Sequence, residues 1–215
     1  MACIYVRHST RFEGPILPDL TAAITAGGRS SRFGSDKALA ELGGRPLIAW
    51  AAQALAGASE RLVVAAPGAQ IPALRAAVGP EWEFLADLLP GRGPLSGLWT
   101  ALQRAGSGWL ALTAVDLPLL GADYWHWLAA AREPGVLGVS ARGPGGPEPL
   151  AAIYSAALRP ALPELLRRPS AGLRDVQELG RWVSLDIPAQ RAGEPPRFLN
   201  VNTPADLERA GRWLG

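Results

Sequence analysis

The residues of this 215-residue chain that could do chemistry gather in four short segments. The densest is Thr25-Ala26-Gly27-Gly28-Arg29-Ser30-Ser31-Arg32-Phe33-Gly34-Ser35-Asp36-Lys37. Glycines let backbone N–H groups approach an anion closely, and a nest of such groups binds phosphate oxygens. Gly27 and Gly28 supply that approach, while Arg32 and Lys37 add cations suited to a triphosphate. The spacing is neither a Walker A, which needs Gly-Lys followed by Ser or Thr, nor Gly-x-Gly-x-x-Gly. Lys37 draws further attention because twenty of the 21 basic residues are Arg and it is the one lysine. An ammonium is a compact charge and a guanidinium a wide planar fork, so a lysine kept in an arginine-biased chain marks a place where Arg fails. The plainer alternative is a solvated surface lysine, and its position inside the glycine loop favours the functional reading.

Asp116, in Val115-Asp116-Leu117-Pro118, follows the most apolar run of the chain. A hard Mg²⁺ ion takes one or two carboxylates plus phosphates and waters, so one carboxylate at a strand end suits a metal bridging to a nucleotide. It can equally cap the turn that follows. The third segment, Asp87 to Leu98, runs Asp-Leu-Leu-Pro-Gly-Arg-Gly-Pro-Leu-Ser-Gly-Leu. Its Pro/Gly loop can lie against a base and ribose, or serve as plain punctuation. The fourth holds both asparagines of the chain, Asn200 and Asn202, ahead of Thr203 and Pro204. Thr203 as N-cap with Pro204 at N1 explains those two residues structurally, which leaves the asparagines free to face a cleft.

These segments need a scaffold, and the chain alternates short apolar runs with helical stretches, as an α/β sheet does. Strands are predicted at Leu20–Ala26, Arg61–Ala66, Trp82–Ala86, Trp109–Val115, Val136–Ala141, Pro149–Tyr154, Trp182–Asp186 and Phe198–Val201. Helices are predicted at Pro46–Ala56, Ile71–Val78, Pro94–Ala105, Asp123–Arg132, Leu158–Arg167, Leu173–Leu179 and Pro204–Leu214. Gly143–Pro149 reads as a loop over a site, residues 1–18 as a loose N-terminal extension, and residues 19–215 as one domain. With 48% hydrophobic and 19% charged residues the chain is too apolar for disorder, and a net charge of +2 is no polycation for nucleic acid. Cys3 is alone and the histidines are two, His8 and His126, so neither an intrachain disulfide nor a multi-histidine metal site is available. No apolar run approaches the roughly 20 residues that span a bilayer, and no apolar h-region opens the chain, which predicts a cytoplasmic protein without membrane or nucleic-acid partners.

The chain resembles the molybdenum cofactor guanylyltransferases, also called molybdopterin-guanine dinucleotide synthases, of the nucleotidyltransferase superfamily. The likeness runs from about Leu20 to Leu214. It rests on Ala-Gly-Gly-x3-Arg-x-Gly-x-Asp-Lys at 26–37, Gly-Arg-Pro-Leu at 44–47 and Gly-Pro-Leu-x-Gly-Leu at 93–98. Asp-x-Pro at 116–118, Glu-Pro-Leu-x-Ala-x-Tyr at 148–154 and Asn-x-Asn-Thr-Pro-x-Asp-Leu at 200–207 complete it. The resemblance implies a single-domain α/β, Rossmann-like three-layer sandwich with a mostly parallel sheet. It also implies transfer of GMP from MgGTP to the terminal phosphate of molybdenum-molybdopterin. Thr25, Ala26, Gly27, Lys37 and Asp87 would contact GTP, and Asp116 would bind both GTP and Mg²⁺. The chain departs from the family at Thr25, where Leu is frequent, and at Ala65-Ala66-Pro67, where some members place a nucleotide-contacting Asn.

A phosphate monoester loses its second proton near pH 6, so the attacking oxygen is already ionised and needs no general base. Lys37 and Arg32 are then expected at the departing pyrophosphate, Asp116 at the metal, and the Thr25–Gly28 backbone at the nucleotide. Pro149, Asn200 and Asn202 are expected to border the pterin, with transient contacts to proteins that deliver or accept the cofactor. Two rivals share the loop: a cytidylyltransferase acting on molybdopterin or on a sugar or erythritol phosphate, and an adaptor that holds GTP without turnover.

Overall fold

The computed structural model describes residues 17–26, 36–67, 69–143, 146–187 and 194–214. In chain order these form β1 (Leu17–Ala26), a 3-10 turn (Lys37–Leu39), a short hairpin of β2 (Glu41–Leu42) and β3 (Arg45–Pro46), and α1 (Leu47–Ala54). Next come β4 (Ala58–Ala65), α2 (Ile71–Val78), β5 (Glu83–Ala86), α3 (Pro94–Arg104), β6 (Trp109–Ala114) and α4 (Ala122–Ala129). The chain continues through β7 (Gly138–Gly143), β8 (Gly146–Ser155), a 3-10 turn (Ala156–Leu158), α5 (Leu162–Arg167), a 3-10 stretch (Leu173–Leu179), β9 (Trp182–Asp186) and α6 (Pro204–Gly211).

Among the described residues seven strands form one sheet in the order β5-β4-β1-β6-β8-β7-β9. Every neighbouring pair is parallel except those made by β8, which is antiparallel to both β6 and β7. The central strands are apolar on both faces because helices cover both. Ile24, Val63, Ala111 and Ile153 point into a core shared with α1, α2 and α4. Ala23, Val64, Leu112 and Tyr154 point to the other side, against α3 and α5. This is the three-layer arrangement expected from the sequence. Among the described residues no helix is long and apolar enough to cross a membrane.

The register fixes where the chemistry can sit. Ala26 pairs with Ala65, Ala65 with Ala86, and Thr25 with Ala114, so β1, β4, β5 and β6 end level with one another. All four end on alanine, whose small side chain leaves the space above the rim open. From β1 the chain winds outward through β4 and β5, then returns to the other flank of β1 as β6. That reversal opens a crevice beyond the carboxyl ends of β1 and β6, where open α/β sheets bind ligands.

Several local expectations change. β1 starts at Leu17, whose N–H donates to the Gly57 carbonyl at 2.8 Å, so the strand takes in Leu17 and Pro18 of the supposed extension. Gly143–Pro149 is the end of the β7–β8 hairpin, not a loop over a site: Gly143 pairs with Gly146 and Arg142 with Pro147. Leu158–Arg167 is split, because Pro160 and Pro163 have no N–H to continue a helical ladder. Leu173–Leu179 winds as a 3-10 stretch whose start is tied by the Gly172 N–H donating to Asp175 at 2.7 Å. Phe198–Val201 is not a strand, since Leu199 N–H closes a turn on Pro196 and Val201 N–H reaches out of the segment to Asp116.

Candidate active site

Lys37 opens the first 3-10 turn, held there by Asp36, whose side chain accepts the Ala38 N–H at 3.1 Å and caps the turn. Asp36 thus fixes backbone while Lys37 is left to act. The Lys37 Nζ donates to Asn202 Oδ1 at 2.7 Å and lies 3.5 Å from Asp116 Oδ2. The ammonium and the carboxylate are each less than a fifth exposed, 17% and 19%, so their interaction is poorly screened by water. Three segments distant in the chain therefore meet at the crevice between β1 and β6.

Asp116 stands just beyond β6. Its carbonyl accepts the N–H of the fully buried Val201 at 2.9 Å, which ties the 200–206 segment to the rim. Its Oδ1 is buried and has no hydrogen-bond partner among the described residues. A buried anionic oxygen without a donor is costly. A divalent cation would satisfy it, so the residue fits the Mg²⁺ the sequence suggests. Among the described residues no cluster of three or more His, Cys, Asp or Glu could hold a metal, and a single carboxylate completed by phosphates and water is the pattern Mg²⁺ favours.

Asp87 follows β5 and faces a cleft of about 510 Å³ that Ala65, Ala66, Pro67, Phe84 and Ala86 also line. Its Oδ1 accepts hydrogen bonds from the Ser96 hydroxyl and from the Leu89 N–H at 3.1 Å. Ser96 is fully buried on the first turn of α3, so the carboxylate is oriented by the helix that the Pro/Gly loop introduces. Arg92 of that loop is structural: its guanidinium donates to the carbonyls of Leu166, Arg168 and Pro169 at the end of α5.

Thr25 and Ala26 close β1. The Thr25 hydroxyl donates to the Thr113 carbonyl at 3.3 Å, and its methyl faces Gly97 of α3. A Cβ added at Gly97 would lie 2.6 Å from Thr25 Cγ2, so only glycine lets α3 sit this near the strand end. Both functional atoms of the Thr25 side chain thus have protein partners. Gly27, Gly28 and Arg32 lie outside the described residues. Asn200 is exposed beside the rim, and Pro149 is half-buried in β8 with its carbonyl accepting from the Tyr154 hydroxyl at 2.6 Å.

Glu148 opens the Glu-Pro-Leu-x-Ala-x-Tyr motif, but the sequence reading gives it no role of its own. β6 and β8 pair Thr113 with Ala151 at the rim, and Asp116 just beyond β6 lies near enough to Glu148 of β8 for their charges to interact. Burial raises the Glu148 carboxyl above the usual carboxylate range, the Arg174 charge opposes that shift, and the negative Asp116 adds to it. The signal was available, since Glu148 is the acidic position of the 146–155 segment. A carboxyl raised in the folded state favours folding below its unfolded pKa, and that advantage is lost as pH rises through the folded value. Glu148→Gln should therefore melt higher than the native chain at neutral pH, the gap closing as pH falls toward about 4. Thermal melts across that range test it, and a neutral-pH melting point at or below native would refute it.

A family model described as the MobA-like NTP transferase domain matches residues 22–185. The chain is 48% identical over 200 residues to a probable molybdenum cofactor guanylyltransferase of Deinococcus radiodurans, covering 90% of this chain and 95% of that protein. It is 36% identical to a molybdenum cofactor guanylyltransferase of Cereibacter sphaeroides, over 91% of this chain and 97% of the relative. Among solved structures it is similar to molybdopterin-guanine dinucleotide biosynthesis protein A of Archaeoglobus fulgidus, at 25% identity and a TM-score of 0.71. That match covers 89% of this chain and 97% of the other.

Proposed function

We propose that this chain, which belongs to the MobA-like NTP transferase family and is a nucleotidyltransferase, moves GMP from MgGTP to the terminal phosphate of molybdenum-molybdopterin. The single observation that carries the reading is the meeting of Lys37, Asp116 and Asn202 at the strand-reversal crevice. The acceptor is a phosphate monoester, already doubly ionised at neutral pH, so its oxygen attacks the α-phosphorus without a general base. One P–O bond forms to the acceptor as the bond to the β-phosphate breaks, and pyrophosphate leaves. Catalysis of this kind is mostly positioning and charge stabilisation.

Asp116 would hold the Mg²⁺, which when bound would neutralise the charge that develops on the phosphates. Lys37 keeps its bond to Asn202, exchanges its longer contact with Asp116 for phosphate oxygens and, with Arg32, stabilises the departing pyrophosphate. The Thr25–Gly28 backbone and Asp87 border the nucleotide, with the base in the cleft beside Ala65-Ala66-Pro67. Pro149, Asn200 and Asn202 lie toward the pterin. The two substrates are small molecules met in the cytoplasm, with transient contacts to proteins that deliver or accept the cofactor.

Pyrophosphate release by the purified protein with Mg²⁺, molybdenum-molybdopterin and either GTP or CTP tests the reading. GTP is expected to support turnover well above CTP. A preference for CTP would overturn the guanine assignment, and release with neither would overturn the transfer.

A further inference from the structure

The segment joining Val201 to α6 holds more than a helix start. Thr203 caps α6 by accepting the Asp206 N–H at 3.2 Å, and Pro204 takes the first helical position. In an ordinary capping box the third helical residue returns the favour to the N–H of the cap itself. Here the Asp206 carboxylate meets the Thr203 backbone only as its weakest influence, while its Oδ2 takes the N–H of Asn202 at 3.0 Å, one residue earlier, together with the Thr203 hydroxyl at 2.8 Å. Capping α6 does not require that bond. It falls on the residue whose side chain holds the Lys37 ammonium at 2.7 Å.

Asn202 is itself exposed, and an exposed Asn on a loop would lose conformational freedom to hold a lysine. Two attachments relieve that cost. On one side Val201 is fully buried and its N–H is fixed to the Asp116 carbonyl; on the other Asp206 grips the Asn202 backbone. Asp206 stays ionised because the Asn202 N–H, then the Thr203 hydroxyl, hold its carboxyl below the usual range, and Arg209 approaches its other oxygen at 3.3 Å.

We infer that Asp206 is a positioning residue that sets the Lys37 ammonium through the backbone of Asn202. The role rests on the nucleotidyl-transfer reading for its catalytic meaning, but not for its test. Lys37 is the one lysine of the chain, so an amine-selective acylating reagent read by peptide mass spectrometry reports its environment directly, with or without turnover.

Asp206→Ala is expected to raise the Lys37 labelling rate on the order of tenfold, as loss of a charge-assisted contact would. Asn202→Ala should do the same, and the double variant should label no faster than Asn202→Ala alone. Asp206→Asn keeps an acceptor for the Asn202 N–H and should stay near the native rate. Thr203→Ala removes the helix cap and should lower the melting temperature without matching the labelling gain. Unchanged labelling in Asp206→Ala, a further rise in the double variant, or an equal rise in Thr203→Ala would each overturn the inference. If the native chain turns over GTP, kcat should fall about tenfold in Asp206→Ala while the KM for GTP moves less. An unchanged kcat alongside raised labelling would overturn the catalytic half alone. An inactive native chain would instead count against the functional reading, and the labelling series would still decide this one.

Discussion

Lys37→Arg should turn over about 10²–10³-fold more slowly than the native chain while folding normally, a loss of the size seen when one preorganised donor is taken out of place at an oxyanion site. The substitution keeps the charge, so a large effect isolates geometry. The native ammonium fits between an amide oxygen at 2.7 Å and a carboxylate oxygen at 3.5 Å, with only 17% of the side chain exposed. A guanidinium is wider, planar and committed to a fork of donors, so it cannot take both contacts from the same point. In a chain otherwise supplied with arginine, tolerance of Arg here would make the lone lysine an accident. Steady-state pyrophosphate release measures the effect, and a rate within a few-fold of native would dismiss the reading of Lys37.

Asp116→Asn should lose about 10³-fold in kcat, roughly 4 kcal/mol of barrier, and should no longer bind Mn²⁺ in the presence of GTP. An amide matches the carboxylate in shape but carries no charge for a cation. Stability should move little or rise, because the Asp116 Oδ1 is a buried anionic oxygen with no donor and the substitution removes its desolvation cost. Lys37 keeps its bond to Asn202, so it is not stranded. Manganese titration followed by electron paramagnetic resonance, alongside thermal melts, separates the two effects. Retained metal binding would remove Asp116 from the metal site, and a large loss of melting temperature would assign it to structure.

What could be read from the sequence was what local chemistry dictates. α2 at Ile71–Val78 and β9 at Trp182–Asp186 fall where periodicity and turn residues put them, and the both-face burial of β6 follows from its unbroken apolar run. The loop-borne Lys37 and the strand-end Asp116 stood out by rarity and position. What could not be read depends on which strand lies beside which. The antiparallel insertion of β8 between β6 and β7 turned a Pro/Gly stretch into a hairpin and brought Glu148 within the influence of the Asp116 charge. Nothing in the predicted helix Pro94–Ala105 marks Gly97 out, and its need for glycine comes from the close approach of α3 to Thr25. Asp36 and Asp206 carried no assigned role in their motifs, and their carboxylates bind backbone N–H groups.

The Lys37–Asn202 bond spans 165 positions of the chain. A ribosome adding about 5–20 residues per second needs on the order of ten to thirty seconds between exposing the lysine and supplying its partner. The β1–β4–β5 half can pair early, whereas the contact that holds the lysine waits for residue 202 to emerge. A polypeptide released before that point would carry Lys37 without its amide partner.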